Sequence, residues 1–213
     1  MQQHSPLKAG LSLAAALVLF AWPGGARAAD QETGTDNEQV RRAVHVCVAC
    51  HGEGGSGTDA AFPRLAGQPA AYTVAQLTAF RSEKRAEMDS RSYMWGVSAL
   101  LDDAAIRDLA EYFAAQTPGA GTPGDPEQIQ AGQLIFSKGI PARGVRPCAA
   151  CHGEHAEGAS VFPRLAGQHA AYVVRQLKGF ETRLRPHGTI MANEVRQMTE
   201  GEMRSVAQYV QSR

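Results

Sequence analysis

Residues 47–51 read CVACH and residues 148–152 read CAACH, so all four cysteines of the chain fall inside two copies of one five-residue word. On a helix, positions i, i+3 and i+4 share a face, which aims Cys47, Cys50 and His51 to one side, and Cys148, Cys151 and His152 likewise. Three chemistries use two thiols beside an imidazole. Zinc takes such ligands, but each half offers three with no fourth close by. A redox disulfide within Cys-x-x-Cys leaves the adjoining histidine and the doubling without a reason. Covalent haem attachment uses every member: the thiols add to the two vinyl groups as thioethers, and the imidazole reaches the iron.

An iron bound on one side by histidine needs a sixth ligand or an open position. Laying the two halves over each other singles out Met94 and Met191, each placed ahead of the last helix. Met88 is the rival for the first iron and has no methionine counterpart in the second half. Met198 and Met203 align with Leu101 and Ile106 and read as core packing. A thioether sulfur is a soft, neutral ligand that favours ferrous iron and raises the reduction potential. It also closes the metal to substrate, which leaves electron transfer.

A metal-bound histidine commonly donates its other ring N–H to a fixed acceptor. The carbonyls of Pro63 and Pro163, in the repeated PRLAGQ segment, are candidates; the alternative is that each proline only shapes a turn. Arg64 and Arg164 can pair with haem propionates as planar donors, or simply face solvent. His45, His155, His169 and His187 have no counterparts in the other half and read as surface residues; His187, four residues before Met191, is the rival ligand to check. Tyr112 and Tyr209 read as core.

These side chains need two sets of helices to place them. FPRLAGQPAAYTVAQLTAF from Phe62 returns as FPRLAGQHAAYVVRQLKGF from Phe162, and the chain is a duplication. Middle helices are expected over residues 70–81 and 170–181. The last helices start from Asp102 and from Thr199, where Glu202 completes a capping box. Their apolar residues fall at 106, 109, 110, 113 and at 203, 206, 207, 210, the stripe of an amphipathic helix. Asp125, Pro126 and Gly139 bracket a first helix in the second half. No strand is evident, so the fold class is all-α. Halves this small with so few large apolar side chains have marginal cores, which a buried porphyrin would complete.

The expected organisation is a secretory signal peptide at 1–28, an acidic flexible tail at 29–40, one domain at 41–116, a Pro/Gly-rich linker at 117–126 and a second domain at 127–213. Lys8, the apolar run from Ala9 to Trp22 and the Ala26-Arg27-Ala28 site describe the signal; Pro23, Gly24 and Gly25 argue against an uncleaved anchor, and no cysteine near the site could carry a lipid. Export places the mature protein in the periplasm.

Without residues 1–28 the chain holds 19 basic and 21 acidic residues, a balance that gives no support to nucleic-acid binding. Residues 41–116 carry 8 basic and 9 acidic side chains against 11 and 7 in residues 127–213. With the acidic tail in front, the mature protein is a dipole, which can orient it on a charged partner.

On CVACHG and CAACHG, FPRLAGQ followed by AAY and QL in both halves, and a methionine ahead of a last helix ending in Tyr112 or Tyr209, the chain resembles dihaem class I cytochromes c, specifically the cytochrome c4 family. The second half adds AGQLIF around Gly132 and Phe136. The resemblance implies two tandem class I cytochrome c domains, each wrapped around a covalently bound haem c, with propionate edges facing across the interface. It implies Cys47, Cys50, Cys148 and Cys151 as thioether residues, and His51 with Met94, and His152 with Met191, as axial pairs. It implies a non-enzymatic periplasmic carrier, at most peripherally attached to the membrane, taking electrons from a quinol–cytochrome c reductase or dehydrogenase to a terminal oxidase or other acceptor. A cytochrome subunit of a dehydrogenase or flavoprotein complex, and a dihaem peroxidase, are the alternatives. Val40 departs from the family, standing where a first-helix glycine is expected.

Overall fold

The computed structural model describes residues 1–2 and 38–213. The expected signal peptide, apart from its first two residues, and the tail up to residue 37 lie outside the described residues. The described chain is helical, and its only β pairings are isolated bridges, Ile140 with Val145 and Ala159 with Phe162.

In the first half, α1 spans Glu38–His51, α2 Ala70–Arg81, α3 Trp95–Ala99 and α4 Asp103–Ala114. In the second, α5 spans Pro126–Lys138, α6 Ala149–His152, α7 Ala170–Glu181, α8 Thr189–Val195 and α9 Glu200–Gln211. The capping residues act as their types dictate. Asp102 accepts from the Ala105 amide at 2.7 Å, and Asp125 accepts from the Gln128 amide at 2.9 Å. Thr199 and Glu202 exchange side-chain and backbone bonds in a complete capping box. Each such cap stabilises its helix by about 1 kcal/mol.

One expected boundary is corrected. Residues 38–40, read as the end of a flexible tail, are the first turn of α1. Glu38 pairs with Arg41 and Arg42 one turn on, and Val40 is only 2 % exposed. An apolar side chain with a helical neighbourhood to bury it belongs to the core rather than to a tail.

The middle helices pack on the last helices within each half, α2 on α4 and α7 on α9, and the first helices close the other side, α1 on α4 and α5 on α9. The α5–α9 crossing is tight at Gly132. A Cβ there would overlap the Ser205 carbonyl and lie 2.9 Å from Tyr209 Cβ. The second half gathers a continuous apolar core, with Phe136, Val195, Met203, Val206 and Val210 nearly inaccessible. In the first half the buried apolar residues are fewer, chiefly Val40, Ile106, Leu109, Ala110 and Phe113.

The Pro/Gly-rich connection at 117–126 is held rather than loose. Thr122 donates to the Gln211 carbonyl at 2.9 Å, and Arg64 reaches the Ala120 carbonyl at 3.0 Å. The two PRLAGQ segments lock together by exchange. Gln68 donates to the Arg164 carbonyl at 2.7 Å and accepts from the Arg164 amide at 3.1 Å; Gln168 donates to the Arg64 carbonyl and accepts from the Arg64 amide, both at 2.9 Å. Each buried carboxamide thus satisfies a backbone N–H and C=O of the opposite half, as buried polar groups must.

Candidate haem sites

His51 is the last residue of α1, and Cys47 and Cys50 precede it on the same helix. In the second half Cys148 caps the short α6, which carries Cys151 and ends at His152. One word therefore sits on the end of a long helix in one copy and on a single turn in the other. Both copies stop at the next residue. Gly52 has φ +76° and Gly153 φ +85°, left-handed conformations that glycine adopts without strain, so the chain turns away as soon as the imidazole has been presented.

Both imidazoles are buried and fixed in the same way. His51 Nδ1 lies 2.8 Å from the Pro63 carbonyl, and His152 Nδ1 lies 3.0 Å from the Pro163 carbonyl. A carbonyl only accepts, so each Nδ1 carries the proton and donates, and each Nε2 keeps a free lone pair. Burial pushes both imidazole pKa values down, against the opposing pull of the proline carbonyls. The rings also meet Phe62 and Phe162 edge-on, with centroids 6.1 and 6.3 Å apart. A neutral, oriented imidazole is what a metal ligand requires.

No disulfide joins any of the four cysteines. Burial pushes the thiols of Cys47 and Cys148 up to about 11. Among the described residues no three or more His, Cys, Asp or Glu side chains gather so as to hold a metal ion by themselves. Cys47, Cys50 and His51 share a helix without converging on a point, an arrangement suited to gripping the edge of a macrocycle and reaching its centre separately. Beside Cys47 lies an apolar hollow of about 240 Å³, lined by Ala43, Val46, Gly96, Val97, Leu100 and Leu101. The donor set, the ring orientation and the apolar wall all fit haem.

Met94 ends a π-helical turn over Ser90–Met94 and is half-buried, whereas Met88 is 81 % exposed. Met191 is half-buried in α8 and packs against the second-half core. Met198 and Met203 are buried in that core, and Tyr209 with them. Tyr112 is half-buried, edge-on to Phe113. Of the unmatched histidines, His45, His155 and His187 are exposed.

His169 is not a surface residue. It is buried, and its Nε2 lies 3.0 Å from the Gly57 carbonyl of the other half. Its position just before α7 faces the junction, a placement that periodicity within one half does not reveal. Arg64 does not simply face solvent. Its guanidinium donates to Gly57, Ala120 and Gly167 carbonyls at 3.2, 3.0 and 2.9 Å, bracing the two halves. Arg164 keeps a buried Nε with no partner in the protein, a donor available to a group outside the chain. The cross-junction residues Gln68, Gln168, Arg85 and Arg185 were not singled out from sequence, although the recurrence of their types at an offset of 100 was the available signal.

The Cytochrome c family profile matches residues 38–116 and again 129–213. Cytochrome c4 of Thiocapsa roseopersicina is 36 % identical over 196 residues, spanning 88 % of this chain and 97 % of that one. The chain belongs to the cytochrome c4 family. The solved structure of Acidithiobacillus ferrooxidans cytochrome c4 superposes with a TM-score of 0.73 at 38 % identity, covering 78 % of this chain and 98 % of that one. A Thiomonas intermedia protein described as a thiosulfate dehydrogenase electron acceptor is 33 % identical over 218 residues, spanning 99 % of this chain and 93 % of that protein. As a member of the cytochrome c4 family the chain binds two covalently attached haem c groups and is a dihaem electron-transfer protein. Among the described residues no helix is long and apolar enough to cross a membrane.

Proposed function

We propose that this cytochrome c4 is a periplasmic carrier rather than an enzyme, and that its electrons pass through haems held by Cys47, Cys50, His51 and Met94 in the first half and by Cys148, Cys151, His152 and Met191 in the second. The observation that carries the assignment is the matched pair of histidines, each with Nδ1 held by a proline carbonyl and Nε2 left free. Haem supplies the one-electron chemistry. The chain's own residues anchor it, orient the imidazoles and hold the sites in apolar surroundings. A neutral axial imidazole paired with a thioether raises the potential and leaves no vacant position for substrate. Arg164, with its unpaired buried Nε, is suited to a propionate carboxylate.

The half-burial of Met94 against the exposure of Met88 supports Met94 as the first sixth ligand. The donor is a quinol–cytochrome c reductase or a dehydrogenase, and the acceptor a terminal oxidase. A redox titration with ligand-sensitive spectroscopy tests this reading. Two low-spin haems are expected, Met94→Leu should convert only one of them, and Met88→Leu should convert neither. A high-spin iron in the unaltered protein at neutral pH would favour a peroxidase instead.

A fixed subunit of a dehydrogenase is the second reading, favoured by the relative described as a thiosulfate dehydrogenase electron acceptor, whose similarity extends over 99 % of the chain. Purification from the native periplasm separates the two: a free shuttle emerges alone, and a subunit emerges with its enzyme. If the charge dipole steers docking, oxidation by the partner should slow as salt rises, since exposed charges are screened beyond roughly 10 Å at 0.1 M.

A further inference from the structure

Several contacts join the halves, among them Arg64 on the Gly167 carbonyl, Arg175 on the Ala61 carbonyl and on Asp89, and the Ala86 amide on the Leu184 carbonyl. Ahead of α2 and α7, Gln68 and Gln168 each bond the backbone of the opposite half, at Arg164 and Arg64. Past the ends of those helices lies a second cluster, built from charge. Arg85 and Arg185 are buried, at 5 % and 8 % exposure, and both reach across the junction. Gln76 Oε1 accepts from Arg85 at 3.0 Å and from Arg185 at 2.7 Å; Gln176 Oε1 accepts from each at 2.8 Å. Each glutamine oxygen therefore takes one N–H from its own half and one from the other. The guanidiniums lie over Phe80 and Phe180, 4.3 and 4.1 Å from the ring centres.

The arginines, glutamines and phenylalanines of this cluster are doubled at an offset of 100, and the counter-charge is not. Glu87, 8 % exposed, accepts from Arg85 Nη2 at 2.7 Å and from Arg85 Nε at 3.2 Å, and lies 3.7 Å from Arg185 Nε. Its second oxygen accepts from Ser90 at 3.0 Å. The corresponding position of the second half is His187, which is exposed. The hydroxyls of Tyr72 and Tyr172 also lie near Arg85. Of the chain's own side chains, one carboxylate thus serves two buried cations, and neutral glutamine oxygens cannot replace its charge.

We propose that Glu87 is a positioning residue that holds the two haem-bearing halves in one fixed relation for electron transfer between them. This rests on the reading that an electron passes from the reduced iron of one half to the oxidised iron of the other, a step needing no further reactant. Its rate falls steeply with separation, so the relation between the halves matters. Without Glu87 the guanidiniums stand side by side and buried, with no carboxylate of the chain between them. Hydration would loosen the halves there, around the Ala86 amide that donates to the Leu184 carbonyl, while the bonds of Gln68 and Gln168 to the opposite backbone keep them joined at the other end. Each half would retain its own fold and haem, and the relation between them would become variable.

The test uses the full haem-loaded protein and follows electron transfer between the haems after rapid one-electron reduction. In Glu87→Gln the rate should fall by roughly tenfold with both haem spectra unchanged. The double variant Gln76→Glu/Glu87→Gln should recover it, because the carboxylate then sits on an oxygen that both guanidiniums already contact. A side chain that merely packs would not be rescued by moving its charge. A rate in Glu87→Gln equal to that of the unaltered protein, or a double variant as slow as the single one, overturns the proposal. Hydrogen exchange at residues 82–92 reads the same junction without any electron. It should rise in Glu87→Gln and return in the double variant, and unchanged exchange also overturns the proposal. An unaltered protein that passes no electron between its haems would instead overturn the carrier reading.

Discussion

The two halves present the same Cys-x-x-Cys-His word on different supports. In the first, α1 runs straight into the word, and the hollow beside Cys47 is walled by Val46, Val97 and the exposed Leu100. In the second, α5 ends at Lys138, and the connection to Cys148 folds back over the site. Within it Ile140 pairs with Val145, Arg143 binds the Gln197 carbonyl and Glu202, and Arg146 binds Glu194. The residues aligned with the first-half wall include Glu194, Gln197 and Met198, so a charged latch stands where the first half leaves apolar surface. One half builds a protein core and braces its site; the other has a thinner core and an open edge. Duplication thus preserved the cofactor grip and let its surroundings diverge.

The largest test of this difference removes the grip. Cys47→Ser/Cys50→Ser and Cys148→Ser/Cys151→Ser should each lower the mass of the exported protein by one haem. The helical signal should fall further in the first pair, because the first half has less core of its own to fall back on. Equal losses by circular dichroism would erase the contrast between the halves.

Packing of the first helices gives the next largest effect. Gly132→Ala forces α5 away from the Ser205 carbonyl and should cost about 1–3 kcal/mol in thermal or denaturant unfolding of the second half. In the first half, Val40→Ala should cost about 2 kcal/mol through lost burial. The two first helices thus differ, one packed closely without a side chain at Gly132 and the other burying the side chain of Val40.

Acid should act on the junction before it acts on either site. Burial pushes the Glu87 carboxyl up, but Arg85, by charge and hydrogen bond, and Arg185 outweigh it and leave the pKa below the ordinary value. A carboxylate lowered in the folded state contributes stability above the ordinary glutamate pKa of about 4.3, and that contribution is lost as pH falls through the lowered value. Hydrogen exchange at residues 82–92 should therefore rise on acidification below about pH 4 and change little between pH 5 and 8. A rise already at pH 6 would mean that another group governs the junction.

The smallest effect belongs to the latch on the second half. Arg146→Ala breaks an exposed pair with Glu194 and should leave the melting temperature nearly unchanged, as exposed ion pairs do. It should nevertheless make the second haem edge more accessible to a small neutral reductant, bringing its reaction rate toward that of the first half.

Helix ends and the two Cys-x-x-Cys-His words were legible in the chain because they are local. Asp102, Asp125 and Thr199 cap the helices their types announce, and α2 and α7 occupy the expected ranges. The proline carbonyls lie at hydrogen-bonding distance from the histidines, where a ligand's need for an acceptor suggested looking. The misreadings share one cause. His169 looks solvent-facing within its own half and is claimed by the other, and Val40 looks like tail until α4 is set beside it. The short α3 and α8 have no strong caps to announce them.

Residue order alone determined that there are two sites, what each can grip and which helices carry them, since those properties depend on spacings of three or four residues. Tertiary structure alone decided that the sites are held as a pair by Gln68, Gln168, Arg85, Arg185 and a single Glu87, and that one edge is open while the other is latched. Those contacts join groups about a hundred positions apart, side chain to backbone at Gln68 and side chain to side chain at Arg185, and only the close packing of two similar but unequal surfaces determines which of them meet.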